Sequence, residues 1–191
     1  MLKRLIKTAV HGVCLLAVLP AALLSGFGRI KAVYSIFAHS FAMGPGIIGD
    51  YLRIAFYRWT LEECSLSSRV QFGSFFAHPE ARMGPHVYIG CFCILGKTAI
   101  GARTQIASGV QILSGSRQHV RDQSGAISGA EHGVFTTVSI GADCWVGAAA
   151  IVMADVGEGS TIGAGSVVTR PVSAHSVAVG SPAKVVKDAS E

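Results

Sequence analysis

The sequence predicts a mainly β chain wound as a parallel β-helix, preceded by an apolar helical segment. Three observations carry that expectation. Aliphatic residues recur in steps of six, as Ile100, Ile106 and Ile112, then Ile140, Val146 and Val152, then Val156, Ile162 and Val168. A small or β-branched residue stands four places after many of them: Val87, Cys93, Thr104, Val110, Cys144, Ala150, Ser160 and Ser166. Gly or Ala follows most of the aliphatic positions directly, as in Ile89-Gly90, Ile106-Ala107 and Val146-Gly147. A fixed period this short is a repeat signature, and six-residue periods specify a parallel β-helix.

Each unit is one short strand plus a tight corner, and three units close a triangular coil. The aliphatic residue points inward, and its copies stack from coil to coil. The small residue sits beside the corner, where the triangle narrows. Gly after the aliphatic position is expected to supply corner dihedrals that a Cβ resists. A Gly-rich β-sandwich would instead show period-two alternation and longer turns. The register has flaws, with five residues in one rung between Ile89 and Ile100 and four between Val152 and Val156. Upstream, Leu66, Phe72 and Met83 extend the phase, with a further short rung expected near His78-Pro79.

Half of the 191 residues are hydrophobic and only 14% are charged. The formal charge of +5 is unevenly placed. Residues 1–60 carry seven Lys or Arg against Asp50 alone, 7 − 1 = +6, and the remainder sums to 9 − 10 = −1. Basic charge confined to an apolar N-terminus fits an anionic membrane surface. A nucleic-acid binder spreads it over the folded surface, so nucleic acid is not an expected partner. The five cysteines form no C-x-x-C pair and read as reduced, which places the chain on a cytoplasmic face. Cys93 and Cys144 fall on the inward small position, where Cys behaves as a small hydrophobe rather than a nucleophile.

Residues 1–61 read as a helical, membrane-associating segment. Thr8 to Phe27 carries no formal charge and is long enough to span a bilayer, although Pro20 interrupts it. The Gly44-Pro45-Gly46 break also allows an interfacial arrangement that never crosses. A signal peptide competes, but no cleavage site with a disulfide-bearing domain follows. Asp50 to Leu61 is an expected amphipathic helix, with Leu52, Phe56 and Trp59 on one face and Arg53 and Arg58 elsewhere. It serves either as an interfacial anchor or as a cap over the first coil. Residues 62–187 form the repeat domain, and 188–191 are a short tail. Within the repeat, the period disappears over 114–137, a polar, Gly-rich stretch that must project from the solenoid. Loops of that length inside a compact domain are usually functional.

The repeat, the His-bearing loop and the strings Ile140 to Gly147, Ile162 to Arg170 and Val179 to Val185 together resemble the hexapeptide-repeat acyltransferases. The resemblance covers roughly residues 64–187. It implies a left-handed parallel β-helix, a homotrimer with active sites between subunits, and acetyl-CoA as co-substrate without a metal. It also implies that His119 is the catalytic base, with His132 second. Chemistry agrees, because acetyl transfer to a hydroxyl needs a base that titrates near neutrality. By position, Ala148 and Ala164 would line the pantetheine channel, and Thr169, Arg170, Lys184 and Lys187 would meet the adenosine and phosphates.

The expected function is therefore O-acetyl transfer to a sugar of a cell-envelope polysaccharide or its lipid-linked precursor, at the cytoplasmic membrane face. Acetylation of a soluble small molecule, such as an antibiotic, serine or free sugar, is the alternative. A metal-dependent carbonic anhydrase of similar fold is a remote one, since it needs three His ligands.

Overall fold

A computed structural model describes residues 2–115, 119, 121, 124–127 and 133–188. Three helices come first: α1 (Leu2–Leu24), α2 (Lys31–Ala42) and α3 (Gly46–Thr60). The rest is a parallel β-solenoid of nearly six coils. Coil 1 is β1 (Glu63–Cys64), β2 (Arg69–Val70) and β3 (Phe75–Phe76), and coil 2 is β4 (Arg82–Met83), β5 (Tyr88–Ile89) and β6 (Ile94–Leu95). Coil 3 is β7 (Thr98–Ile100), β8 (Gln105–Ile106) and β9 (Gln111–Ile112), followed by β10 (Val138–Ile140), β11 (Trp145–Val146) and β12 (Ile151–Val152). The last coils hold β13 (Thr161–Ile162), β14 (Val167–Val168), β15 (Ser176–Val179) and β16 (Lys184–Asp188).

The strands stack into three faces. The first runs β1-β4-β7-β10 and continues through bridges at Val156 and Val172. The second is β2-β5-β8-β11-β13-β15-β16, and the third is β3-β6-β9-β12-β14. Among these pairings β15 with β16 alone is antiparallel, so the chain turns back on itself and covers the open edge of the last coil. Each face carries one inward column, for example Val70, Ile89, Ile106, Val146, Ile162 and Ala178, and all are buried. Each large aliphatic member contributes about 1.5–3 kcal/mol on burial.

In coil 1 the expected phase is wrong. Cys64, Val70 and Phe76 point inward, whereas Leu66 and Phe72 are only half-buried. The rung near His78 is long rather than short, since the inward positions step 83 − 76 = 7. The other irregular steps are 100 − 95 = 5, 140 − 112 = 28, 156 − 152 = 4 and 172 − 168 = 4. All five lie at one corner, between the third face and the first. The other two corners keep six-residue steps throughout.

The glycines after the inward residues act differently from expectation. Gly90, Gly101, Gly141, Gly147 and Gly157 do not have positive φ. Instead, a Cβ on Gly101 would stand 2.4 Å from the backbone nitrogen of Ala142, and one on Gly141 would stand 2.3 Å from that of Glu158. These glycines let one coil's backbone rest against the next. The left-handed corner residue comes two places later and is often not glycine, as at His86, Phe92, Arg103, Asp143 and Ala149.

The helices close the base of the solenoid. α3 packs on β1 and β2, α2 packs on β3, and α1 packs on α3. Arg53 was expected away from the buried face, yet it is fully buried. Its guanidinium donates to the carbonyls of Val70 (2.8 Å), Phe41 (3.0 Å), Ala42 (3.2 Å) and Gly44 (2.7 Å), and to the Asp50 carboxylate. The side chain thus satisfies the carbonyls where α2 ends and joins α3 to the first coil. Removing one partner from such a buried charged network costs about 3–5 kcal/mol. Tyr34 Oη adds a second tie by donating to the Phe76 carbonyl at 2.9 Å.

Gly101→Ala is expected to destabilise the fold by about 2–3 kcal/mol, because the backbone it meets cannot yield. Gly165→Ala, at φ +67 with nothing within 4 Å of a new Cβ, should cost about 1 kcal/mol. Chemical denaturation of both variants tests the order, which would reverse if corner dihedrals were the reason for the first glycine.

Candidate active site

The long excursion starts at the corner where step length varies. It leaves β9 after Leu113, and its neck is closed by Thr136 N–H donating to the Ser114 carbonyl at 3.0 Å. Ser114 Oγ in turn accepts from Lys97 N–H at 2.8 Å. Gly115, at φ +86, makes this closure possible, since a Cβ there would collide with the Thr136 hydroxyl. Within the excursion, Arg121 and Ile127 form an antiparallel bridge, and the Arg121 guanidinium donates to the Gly125 carbonyl. His119 lies just before that bridge and is exposed. His132, the second candidate, lies outside the described residues.

The returning arm of the excursion reaches back to coil 1. Phe135 packs against His78, with ring centroids 5.4 Å apart. Burial lowers the His78 pKa below the ordinary histidine value, and Lys31 and Lys97 reinforce that against the opposing pull of Glu80. Glu80 bridges to Lys31 at 2.6 Å, which links this corner to the start of α2. One corner of the prism therefore carries His78, Lys97, the His119 excursion and, two coils on, Thr169 and Arg170. His86 and His175 lie on the corner between the first and second faces.

The residues expected to meet the coenzyme divide between two corners. Ala148 and Ala164 are exposed and stack one coil apart at the corner between the second and third faces. The Ala148 carbonyl is already engaged, accepting from Gly165 N–H at 2.8 Å. Thr169 and Arg170 are exposed on the opposite side of the third face. Lys184 and Lys187 project from β16, registered against Val179 and Val177. Among the described residues, Arg170, Lys184 and Lys187 make no ion pair, and all three belong to the last coils, at the end remote from the helices. Unpaired cations beside small-residue corners fit a phosphate-bearing thioester donor.

Cys144 is unsuited to covalent catalysis. It is buried, burial pushes its thiol up, and its Sγ donates to the Gly157 carbonyl at 3.1 Å. Reasoning from the sequence missed His78 and Phe135 as neighbours of the excursion. Their contact joins positions 135 − 78 = 57 residues apart and has no local signal. Among the described residues no three His, Cys, Asp or Glu side chains gather as a metal site would require.

The profile of the hexapeptide repeat of succinyl-transferase matches residues 137–170, the stretch that forms coil 4 and most of coil 5. With the six-residue columns and the three-faced solenoid, that match identifies the hexapeptide repeat in this chain. The chain is similar in that repeat to the hexapeptide-repeat acyltransferases. A Staphylococcus aureus (strain MRSA252) protein assigned to the acetyltransferases is 52% identical over 52 residues, which is 26% of each chain. The hexapeptide-repeat chain thus spans about a quarter of that relative's length. The maltose O-acetyltransferase of Clostridium difficile 630 has a similar fold, with a TM-score of 0.67 at 22% identity, covering 85% of this chain and 90% of its own. A variant of the Bacillus cereus N-acyltransferase AntD, in complex with dTDP-4-amino-4,6-dideoxyglucose and coenzyme A, has a TM-score of 0.53 at 20% identity over 63% of this chain and 69% of its own.

The lowered His78 pKa has a stability consequence. A depressed histidine contributes stability that is present above its unfolded value and is lost as pH falls through its folded value. Acidification from pH 7.5 to 5.5 should therefore lower the melting temperature less in His78→Gln than in the parent chain. Thermal scans at the two pH values measure this difference.

Proposed function

We propose that this protein transfers acetyl from acetyl-CoA to a hydroxyl of a cell-envelope polysaccharide or its lipid-linked precursor, at the cytoplasmic face of the membrane. The observation that carries the reading is the placement of His119. It is exposed on an excursion that leaves the one variable corner of the solenoid, and the unpaired Arg170 stands at the same corner two coils on. The neutral imidazole accepts the proton of the acceptor hydroxyl as its oxygen attacks the thioester carbonyl. The tetrahedral oxyanion then collapses, the C–S bond breaks, and the imidazolium returns its proton to the departing thiolate. Free backbone N–H groups meet the oxyanion.

Arg170, Lys184 and Lys187 hold the phosphates of the coenzyme, and the Ala148 and Ala164 corners border its pantetheine arm. Ala148 contributes a small side chain there, because its carbonyl is committed to Gly165. A homotrimer supplies the second wall, since the excursion of a lone solenoid faces solvent and a ligand pocket must be concave. The exposed apolar residues of the helical cap and its basic charge support the membrane location. One observation favours a soluble small-molecule acceptor instead. The overlay on maltose O-acetyltransferase takes in 85% of the chain, so it extends beyond the solenoid into the helical cap.

His119→Ala should lower turnover by about 10²–10⁴-fold, the worth of a positioned base, while acetyl-CoA affinity stays nearly unchanged. Acetyl-CoA consumption with saccharide acceptors, beside calorimetric binding of acetyl-CoA, measures both. Wild-type turnover in this variant would remove His119 from the mechanism.

Light scattering of the full chain in mild detergent should give three times the 19.9 kDa monomer mass. A fully active monomer would overturn the shared-site arrangement.

A further inference from the structure

We infer that α1 lies in the plane of one membrane leaflet and does not cross it, so that the solenoid stands upright on the lipid surface. The inference rests on the membrane reading above and deepens it. By composition and length α1 could span a bilayer, since Leu5–Leu24 has a mean hydropathy of 1.8. A spanning helix must offer an apolar surface to lipid along its whole length. α1 instead buries a continuous stripe, His11, Cys14, Val18, Ala21 and Ala22, on the side that packs on α3. Its other side exposes Leu5, Ile6, Val13, Leu16, Leu23 and Leu24. Ile36 on α2 and Ile47 and Ile48 on α3 add to the exposed apolar surface of the cap.

Both ends of α1 are tied across the solenoid. Its N-terminal half shares a cleft with Leu66, Ser67 and His86, at the corner between the first and second faces. Just beyond its C-terminal end, Gly28 packs against Thr60 and Pro79, at the corner between the third and first faces. The helix therefore runs across the prism, at right angles to the direction in which the coils stack. Midway, the Trp59 indole donates to the Leu15 carbonyl at 3.1 Å. This bond falls next to the place where Pro20 leaves the Leu16 carbonyl without its helical donor. α3, which holds α1, is itself locked to the first coil by Arg53. Turning α1 upright would strip it from α3, or drag a buried guanidinium towards hydrocarbon.

Charge selects lipid over a second copy as the occupant of this face. Of the basic residues within 1–60, Arg53 is buried against Asp50 and Lys31 pairs with Glu80. That leaves Lys7, Arg29 and Arg58 exposed among the described side chains, while the one acidic residue of this segment, Asp50, is held by Arg53 and Gln71. Two such surfaces apposed would bring like charges together, whereas an anionic leaflet complements them, at about 1 kcal/mol per basic residue near the surface. Apolar burial and basic charge are the two signals that stable surface anchoring needs. The geometry also narrows the acceptor. The excursion leaves coil 3, two coil rises of about 4.8 Å above coil 1, and a helix layer of about 10 Å lies beneath. The reacting hydroxyl then stands about 20 Å above the lipid contact, the position of a saccharide carried on a lipid in the same membrane.

The test adds full-length protein to sealed vesicles of phosphatidylglycerol and phosphatidylcholine in equal parts, and to phosphatidylcholine alone. Binding is expected to the anionic vesicles and to weaken with salt. Brominated lipids should quench Trp59 in a Trp145→Phe background, and a protease added outside should remove an N-terminal epitope tag. Leu16→Asp with Leu23→Asp should weaken vesicle binding about tenfold or more while circular dichroism is unchanged. Bound protein whose tag is protected inside the vesicle would overturn the in-plane arrangement and leave the membrane reading standing. Failure to bind either vesicle, with acetyl transfer to soluble sugars intact, would overturn both. A fall in oligomer mass in the double variant, without loss of vesicle binding, would assign the face to a second copy and sink the inference.

Discussion

The rise of one coil upon the next, fixed by parallel backbone hydrogen bonds at about 4.8 Å, is the constraint that governs this structure. It forces every inward side chain to sit directly above its counterpart, so the columns hold only residues that stack. It also brings the backbone of one coil onto the glycines that follow inward residues of the last, such as Gly90, Gly101, Gly141, Gly147 and Gly157, and a Cβ has no space there. The glycines that mark the repeat are thus evidence of contact between coils. The conformational demand of the corner falls two residues later, and His86, Phe92, Arg103 and Asp143 meet it with positive φ.

That constraint also decides where the chain can change length. Two corners keep their six-residue steps throughout, while the third takes every shorter and longer step, including the 28-residue one. The chain passes from one coil to the next at this corner, so an insertion there does not disturb the register of either neighbouring face. The excursion bearing His119, the His78–Phe135 contact and the Thr169-Arg170 turn share it for that reason. A segment that leaves this variable corner is positioned by rigid coils on either side, which combines a fixed scaffold with a changeable loop.

A solenoid must also end, because an open coil presents unpaired strand edges. The two ends are closed differently. At the C-terminal end β16 turns back along β15, and it brings Lys184 and Lys187 to the rim. At the N-terminal end α2 and α3 cover the first coil, with Arg53 satisfying carbonyls from both α2 and β2. The molecule is consequently polar from end to end, with free cations at one end and an apolar, basic cap at the other.

How much of this was legible depended on distance along the chain. The inward columns from Met83 onward, the small positions beside the corners and the limits of the excursion follow from a local period, which any one sequence displays. Cys64, Val70 and Phe76 were misread because Leu66 and Phe72 are also apolar and sit at corners, where a helix or a neighbouring ring half-covers them. The burial of Arg53 could not be read from helical periodicity. It depends on four carbonyls brought together by the turn after α2 and by β2, and only the folded backbone assembles them. The same holds for His78 beside Phe135, and for the division between two corners of the residues expected from the sequence to meet a coenzyme. The sequence by itself determined the repeat and therefore the solenoid, because a six-residue period is a local property of the chain. Tertiary structure alone decided which polar groups are buried, which cations are left free and that His78 meets Phe135 of the excursion, because those depend on contacts between residues distant in sequence.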